Sequence, residues 1–120
     1  MTVVPGAGAA HTLGAWLAAR EHVPPTALAA RLRELLGRRA LDADAREAPE
    51  RLLDAGESVL ARLLREAATT RESALDLLAA DALVTYAFEA AADEPETLPA
   101  RVSRAMASIA RVPAAAAAVR

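Results

Sequence analysis

The chain has 120 residues, with 16 acidic and 14 basic side chains and a formal net charge of −2. This length suits a single domain with its own core, and the near balance of charges excludes binding of polyanions through overall charge. The absence of cysteine excludes disulfides, thiolate metal sites and cysteine nucleophiles. Hydrophobic residues make up 54 % of the chain but aromatic residues only 2 %, which favours close-packed helices over a sheet.

All basic residues are arginine, and lysine, asparagine and glutamine are absent, a bias typical of GC-rich bacterial genomes. Residues 1–10 lack the basic start and apolar run of a secretory signal. Acidic residues interrupt the most apolar segment, and each would cost about 2.5–3.5 kcal/mol near a bilayer centre. We therefore expect a cytoplasmic protein that does not enter a membrane.

Two amphipathic helices are predicted in the first third of the chain. Thr12 can cap a first helix whose apolar stripe comprises Leu13, Trp16 and Leu17. That helix should end at Val23-Pro24-Pro25, because a residue before proline avoids helical geometry. Thr26 can cap a second helix, which should end at Gly37 because glycine tolerates the left-handed backbone. The apolar stripe of this second helix comprises Leu28, Leu32, Leu35 and Leu36.

A polar connection over residues 38–47 leads to a third helix with Pro49 in its first turn, running to about residue 68. Its apolar stripe comprises Leu52, Val59, Leu60, Leu63 and Ala67. Gly56 interrupts this stripe at a cost of about 1 kcal/mol relative to alanine. Such a glycine indicates that a neighbouring helix crosses closely at this point.

Residues 71–93 form the most apolar segment and are predicted to be the central helix of the bundle. Its large apolar side chains point in every direction, which is typical of a helix surrounded by others. They are Leu75, Leu77, Leu83, Val84, Tyr86 and Phe88. Thr69 and Glu72 have the spacing of a capping box at its start, and Asp93-Glu94-Pro95 should close it.

A fifth helix, capped by Thr97, should end at Pro113. Its apolar face comprises Leu98, Val102, Ala105, Met106 and Ile109. We divide the chain into a bundle domain, residues 1–112, and a low-complexity alanine-rich tail, residues 113–120, with nothing to bury. The fold class is therefore all-α, a single-domain bundle of about five helices around the central helix.

No catalytic or metal-binding motif is found. His11 and His22 would lie about 16 Å apart on one helix, too far to share an ion. Ser58 lacks the second glycine of a nucleophile elbow and falls within a helix. No glycine-rich nucleotide-binding motif is present. The sequence predicts a non-catalytic protein without a metal or cofactor.

Three polar residues, Asp81, Thr85 and Glu89, recur every four positions and form one line along the central helix. Such a line usually faces solvent or pairs with arginine on a neighbouring helix. The available arginines are Arg62, Arg65, Arg101 and Arg104. The alternative is a ligand pocket in which this line is joined by Tyr86.

Residues 78–89 resemble a helix of the isoprenyl diphosphate synthases, which carries a Gly-Asp-Ala-Leu-Leu-x-x-Ala-Phe pattern. Ala80 stands where that family favours glycine, and the Asp-Asp-x-x-Asp motif that binds magnesium and diphosphate is absent. The resemblance covers about a tenth of the chain. It implies at most a binder of prenyl-like small molecules beside the central helix, and the synthase activity is not carried over.

Residues 17–32 resemble a helix-turn-helix. Ala18 stands where that motif has a small residue, whereas Glu21 and His22 replace its apolar residue and turn glycine. The core positions of the motif are occupied by Val23, Leu28 and Leu32. The resemblance implies a DNA-binding regulator using residues 17–39, although an ordinary helical hairpin also explains the pattern. Its DNA contacts would be Arg31, Arg33, Arg38 and Arg39.

The leading hypothesis is a non-catalytic module that associates with itself, as a homodimer, or with a partner protein. Several large apolar residues lie outside or at the edge of the main helix stripes. They are Trp16, Leu36, Leu41, Leu53, Leu64 and Val112. If exposed together, they would form a patch of the kind that marks interfaces. DNA binding is the alternative and small-molecule binding the third hypothesis.

Overall fold

The computed structural model describes residues 11–67 and 69–118, which form helices and no strand. The helices are α1 (Leu13–Ala18), α2 (Thr26–Leu41), α3 (Ala48–Glu66), α4 (Arg71–Ala92), α5 (Leu98–Ala110) and α6 (Val112–Ala118), with a 3-10 turn over Ala45–Glu47. The predicted all-α bundle is confirmed. Predictions for residues 1–10 and 119–120 lie outside the described residues. None of the helices described is both long and apolar enough to span a membrane.

An antiparallel hairpin of α3 and α4 forms the centre of the molecule, and Gly56 is its closest crossing point. A Cβ atom built on Gly56 would lie 3.0 Å from Cγ2 of Val84 and 3.3 Å from Cβ of Leu83. The predicted close crossing at this glycine is therefore confirmed. The fully buried large side chains come from four helices and are Leu13, Leu32, Leu52 and Leu83.

Helix α4 is central but has one face open to solvent. Its buried face is made mostly of alanine, which allows neighbouring helices to approach closely. On the opposite face Leu77 and Leu78 are 55 % and 58 % exposed. The expectation of a helix surrounded on all sides was therefore wrong, because no described helix covers Leu77 and Leu78.

The cap of α4 lies one residue later than predicted. Thr70 is the N-cap, and its Oγ1 accepts the backbone N–H of Ser73 at 3.1 Å. The Thr70 N–H donates in return to Oγ of Ser73 at 2.8 Å. A serine hydroxyl therefore takes the part expected of Glu72 in a capping box.

The first two helices differ from prediction at their ends. Thr12 caps α1 as expected, its Oγ1 accepting the Ala15 N–H at 3.1 Å. Helix α1 ends at Ala18, well before the prolines. Gly37 adopts φ 77° and ψ 164°, a non-helical conformation open mainly to glycine, so the helical backbone is interrupted there as predicted. The chain then resumes helical geometry as far as Leu41, and α2 consists of two helical segments joined by a kink at Gly37.

The alanine-rich tail is helical and packs against α3. Pro113 lies in the first turn of α6, where proline costs little because that N–H has no partner within the helix. Val112 and Ala116 are each only 5 % exposed. The expectation that the tail buries nothing was wrong, since the α3 surface gives it an apolar face to cover.

Candidate functional site

The apolar residues predicted to share a surface patch do not form one. Leu36 and Leu53 are each 9 % exposed and belong to the core, and Val112 is buried as well. Trp16 and Leu41 are half-buried and pack against the core. Of the six residues only Leu64, at 48 %, is exposed. Helical periodicity alone could not show that α4, α5 and α6 cover the flanks of the neighbouring helices.

Trp16 is held by three contacts and is not a free surface aromatic. Its ring meets that of Tyr86 edge-on, with the ring centres 6.2 Å apart. Its indole N–H donates to Oδ2 of Asp93 at 2.9 Å. The guanidinium carbon of Arg20 lies 3.9 Å from the centre of the indole ring. The contacts with Tyr86 and Asp93 fasten α1 to the carboxyl-terminal end of α4.

An exposed stripe runs along the amino-terminal half of α4. Arg71, Ala74, Leu78 and Asp81 recur at i, i+3, i+7 and i+10, the spacing of a coiled-coil seam, and all four are exposed. Leu77 is exposed beside them. Neither Arg71 nor Asp81 forms an ion pair with any described residue. We call these four residues the α4 outer stripe: an apolar centre with a positive and a negative end.

The predicted polar line is exposed along its whole length. Asp81, Thr85 and Glu89 border an open groove of about 430 Å³ that also contacts Arg20 and His22. Two of the four arginines expected to pair with this line bind other acids: Arg62 binds Asp76, and Arg101 binds Glu50 and Glu94.

Tyr86 adjoins this groove, and partial burial, together with the charge of Glu89, raises the pKa of its phenol. Most of the side chains that line this groove are charged or polar, so it offers little to an apolar ligand.

A buried carboxylate, Asp76, joins three helices and was not singled out from the sequence. Its Oδ1 accepts from Nε of Arg31 in α2 at 2.6 Å, and its Oδ2 accepts from Nη2 of the same residue at 3.0 Å. Arg62 in α3 donates to Oδ2 at 2.7 Å. These bonds, those of Arg31 first, lower the pKa of Asp76 to about 2 although burial alone would raise it. The sequence does contain a signal for this burial. Helical spacing places Asp76 on the same face of α4 as the core residues Ala79, Ala80 and Leu83.

The arginines proposed as DNA contacts are not equivalent. Arg31 is engaged by Asp76 and, at 3.2 Å, by Glu34, so it is not available to a phosphate. Arg33, Arg38 and Arg39 are exposed.

The surrounding backbone also departs from a helix-turn-helix. Residues 19–25 separate α1 from α2, whereas that motif has a turn of about three to four residues. Val23, expected in its core, is 80 % exposed. Leu32 is fully buried as expected, but against the bundle. The observed geometry is that of an ordinary pair of helices with a long connection.

A cleft between α3, α4 and α5 has a volume of about 370 Å³. Its floor is apolar and consists of Leu53, Ala87, Phe88, Ala91 and Ala105. The α5 wall carries Arg101, Arg104, Ser108 and Arg111, and the α3 wall carries Glu50 and Asp54. We call this space the α3–α5 cleft. Its signal in the sequence was the i, i+3, i+7, i+10 spacing of the polar residues in α5, which was not recognised.

Arg101 is the most tightly held side chain of this cleft. Its Nε lies 3.2 Å from Oε1 of Glu50, and its Nη1 lies 3.6 Å from Oε1 of Glu94. Nearby, the hydroxyl of Ser108 donates to Oε1 of Glu57 at 2.7 Å, which ties α5 to α3. These contacts join α5 to α3 on the two sides of Arg104.

Within residues 11–67 and 69–118, no group of three or more histidine, aspartate or glutamate side chains could hold a metal ion. No protein-family model, curated protein or solved structure matches this chain. A function can therefore be inferred only from the arrangement of the chain's own side chains.

Proposed function

We propose that this protein is a non-catalytic helical module that self-associates into a two-fold symmetric dimer through the α4 outer stripe. The observation that carries the proposal is the exposure of Leu78, at 58 %, within the stripe and of Leu77, at 55 %, beside it. Adjacent exposed leucines on a rigid helix form an apolar surface that a second helix can cover.

The order of charges along the stripe favours a second copy of the same chain. Arg71 and Asp81 lie five positions on either side of residue 76, and Ala74 and Leu78 lie two positions on either side. When two α4 helices pack antiparallel about an axis at this level, Arg71 faces Asp81 of the partner subunit. Leu78 then packs over Ala74 of the partner subunit. A two-fold interface must be self-complementary in this way.

The stripe is short, so we expect a weak dimer. Burying a leucine contributes about 1.5–3 kcal/mol when the side chain starts fully exposed. Leu77 and Leu78 start only about half exposed, so each contributes less. Association also costs rotational and translational freedom. We expect a dissociation constant of about 10 µM to 1 mM.

Analytical ultracentrifugation across about 5 µM to 1 mM protein tests the proposal. Leu78→Glu should abolish the dimer, because it places a charge at the apolar centre of the contact. Met106→Glu is the matched control, since Met106 is 56 % exposed on α5, outside the stripe. Circular dichroism verifies that both variants remain helical. A chain that stays monomeric throughout, or equal effects of the two substitutions, would contradict the proposal.

A charge exchange identifies the geometry of the contact. Arg71→Asp and Asp81→Arg should each weaken the dimer, because each places like charges opposite one another. The double variant restores opposite charges at both ends of the contact and should recover the affinity. Failure of the double variant to recover while the single variants dissociate would exclude this antiparallel register.

A further inference from the structure

We propose that the α3–α5 cleft binds a small aliphatic anion, an apolar chain of medium length with a carboxylate head group. The cleft lies beside the last half of α4, whereas the outer stripe lies on its first half. The inference is therefore independent of the proposed dimer.

The size and floor of the cleft suit a small apolar body. Its volume of about 370 Å³ falls within the range of about 300–1,000 Å³ found for ligand pockets. Ala87, Ala91 and Ala105 are buried and small, so α4 and α5 leave a gap where larger side chains would interlock. The half-buried ring of Phe88 lines the same space. An aliphatic chain in this gap would cover apolar surface that water now contacts.

The charges on the walls favour an anionic head group. Arg104 and Arg111 lie two turns apart on α5, and neither forms an ion pair with a described residue. On the opposite wall Glu50 is already paired with Arg101, which leaves Asp54 as the unpaired acid. The unpaired charges on the cleft walls are therefore two guanidinium groups against one carboxylate, while Arg101 is held between the two acids Glu50 and Glu94.

The accessible donors of the cleft are those of Arg104 and Arg111, which are exposed on the α5 wall. Nη1 of Arg101 is buried and lies 3.6 Å from the carboxylate of Glu94, so it is not open to a ligand. A guanidinium group binds a carboxylate through paired, charge-assisted hydrogen bonds. A carboxylate head at the α5 wall would therefore gain contacts that neither an alcohol nor an ammonium group can reproduce.

Isothermal titration of the full chain with octanoate, octanol and octylammonium tests the inference. The three probes share one apolar chain and differ in head-group charge. Octanoate should bind about tenfold more tightly than octanol, and octylammonium more weakly than either. Equal binding of the three probes, or no binding of octanoate at millimolar concentration, would overturn the proposal.

Two double variants locate the site. The double variant Arg104→Gln with Arg111→Gln should weaken the binding of octanoate about tenfold and leave the binding of octanol unchanged. The matched control is the double variant Arg33→Gln with Arg38→Gln, which removes two exposed arginines of α2. It should change neither the octanoate affinity nor the octanol affinity. Retention of octanoate affinity in the α5 variant would refute the assignment.

Ala107→Phe tests, without any change of charge, whether the ligand binds in the α3–α5 cleft. Ala107 is exposed and lines the cleft, so a larger side chain there narrows the opening without entering the core. Binding of all three probes should fall, whereas Leu78→Glu in the α4 outer stripe should leave it unchanged. Unaltered binding in Ala107→Phe would place the ligand elsewhere and overturn the proposal.

Discussion

Asp76 shows how a single charged residue can be accommodated inside a helical bundle. Its side chain is 6 % exposed, and both of its oxygens accept hydrogen bonds from arginine. Removing a carboxylate from water is costly, and these charge-assisted bonds offset that cost. Arg31 and Arg62 each retain 32 % exposure, so they can bind the carboxylate without being fully dehydrated. The residue therefore fastens α2 and α3 to the start of α4.

The lowered pKa of Asp76 predicts acid sensitivity. The folded chain holds this pKa at about 2, below the ordinary value of about 3.9, so the unfolded chain takes up the proton first. The stabilisation is present in full above about pH 4, and about 2 kcal/mol of it is lost as the pH falls to about 2.

Urea unfolding of the protein and of Asp76→Asn, measured between about pH 2 and pH 6, checks this prediction. The variant should be less stable by about 3 kcal/mol near neutral pH, and the difference should shrink at low pH. Asp42→Asn, at an exposed position, is the control and should behave like the unchanged protein. A difference that does not vary with pH would show that the carboxylate contributes nothing through its charge.

Gly56→Ala should destabilise the fold even though alanine is the better helix former. The added Cβ would lie 3.0 Å from Cγ2 of Val84 and 3.3 Å from Cβ of Leu83, so the hairpin must open slightly. Overpacking costs about 1–3 kcal/mol, more than the gain of about 1 kcal/mol in helix propensity. Thermal unfolding measures the net effect, and a raised melting temperature would disprove the close crossing.

At the scale of the element, α4 has two faces with different roles. Its alanine face packs against α3, whereas its leucine face is open to solvent around residues 77 and 78. A helix with this division can hold a fold together and still offer an apolar surface to a partner. With 22 residues, α4 is the longest of the helices described.

Helix α6 depends on its contact with α3 because seven residues are too few for a stable isolated helix. Val112→Ala should reduce stability by about 1–2 kcal/mol, since the valine is 5 % exposed. Ala114→Ser, at an exposed position of the same helix, should have a much smaller effect. Chemical denaturation measures the free energy of unfolding of the two variants. Equal losses of stability would show that the helix is not anchored through Val112.

At the scale of the whole molecule, stability should be graded along the chain. The molecule is elongated, 55 × 33 × 23 Å, and its core is built around the α3–α4 hairpin. Helix α1 has six residues, of which only Leu13 is buried. Hydrogen exchange should therefore be slowest for amides near Leu52 and Leu83 and markedly faster in α1. Uniform protection across the described helices would contradict this gradation.

The proposed dimer and the proposed ligand site use separate surfaces of one rigid hairpin. The α4 outer stripe lies on the first half of α4, and the α3–α5 cleft opens beside the last half, near Ala87 and Ala91. Variants of one surface can therefore be tested without changing the other. This separation makes each proposal independently testable.

The sequence alone determined the helical class and the approximate course of the helices. Thr12 as a cap, Pro49 in a first turn and Gly56 at a close crossing could all be read correctly, because caps, prolines and mid-helix glycines act on their immediate neighbours. The local signals were less accurate at the start of α4, where two adjacent threonines compete for the cap and Thr70 takes it.

Only the tertiary structure decided which apolar side chains are covered and which charges meet. Leu53 is buried and Leu78 exposed although both belong to apolar helix segments, since burial depends on what lies opposite. The pairing of Asp76 with Arg31 joins residues 45 positions apart, a contact that helical periodicity does not encode. Periodicity gives the direction of a side chain around its own helix, whereas the packing of helices distant in the chain decides whether that direction ends in solvent, in the core or in a cleft.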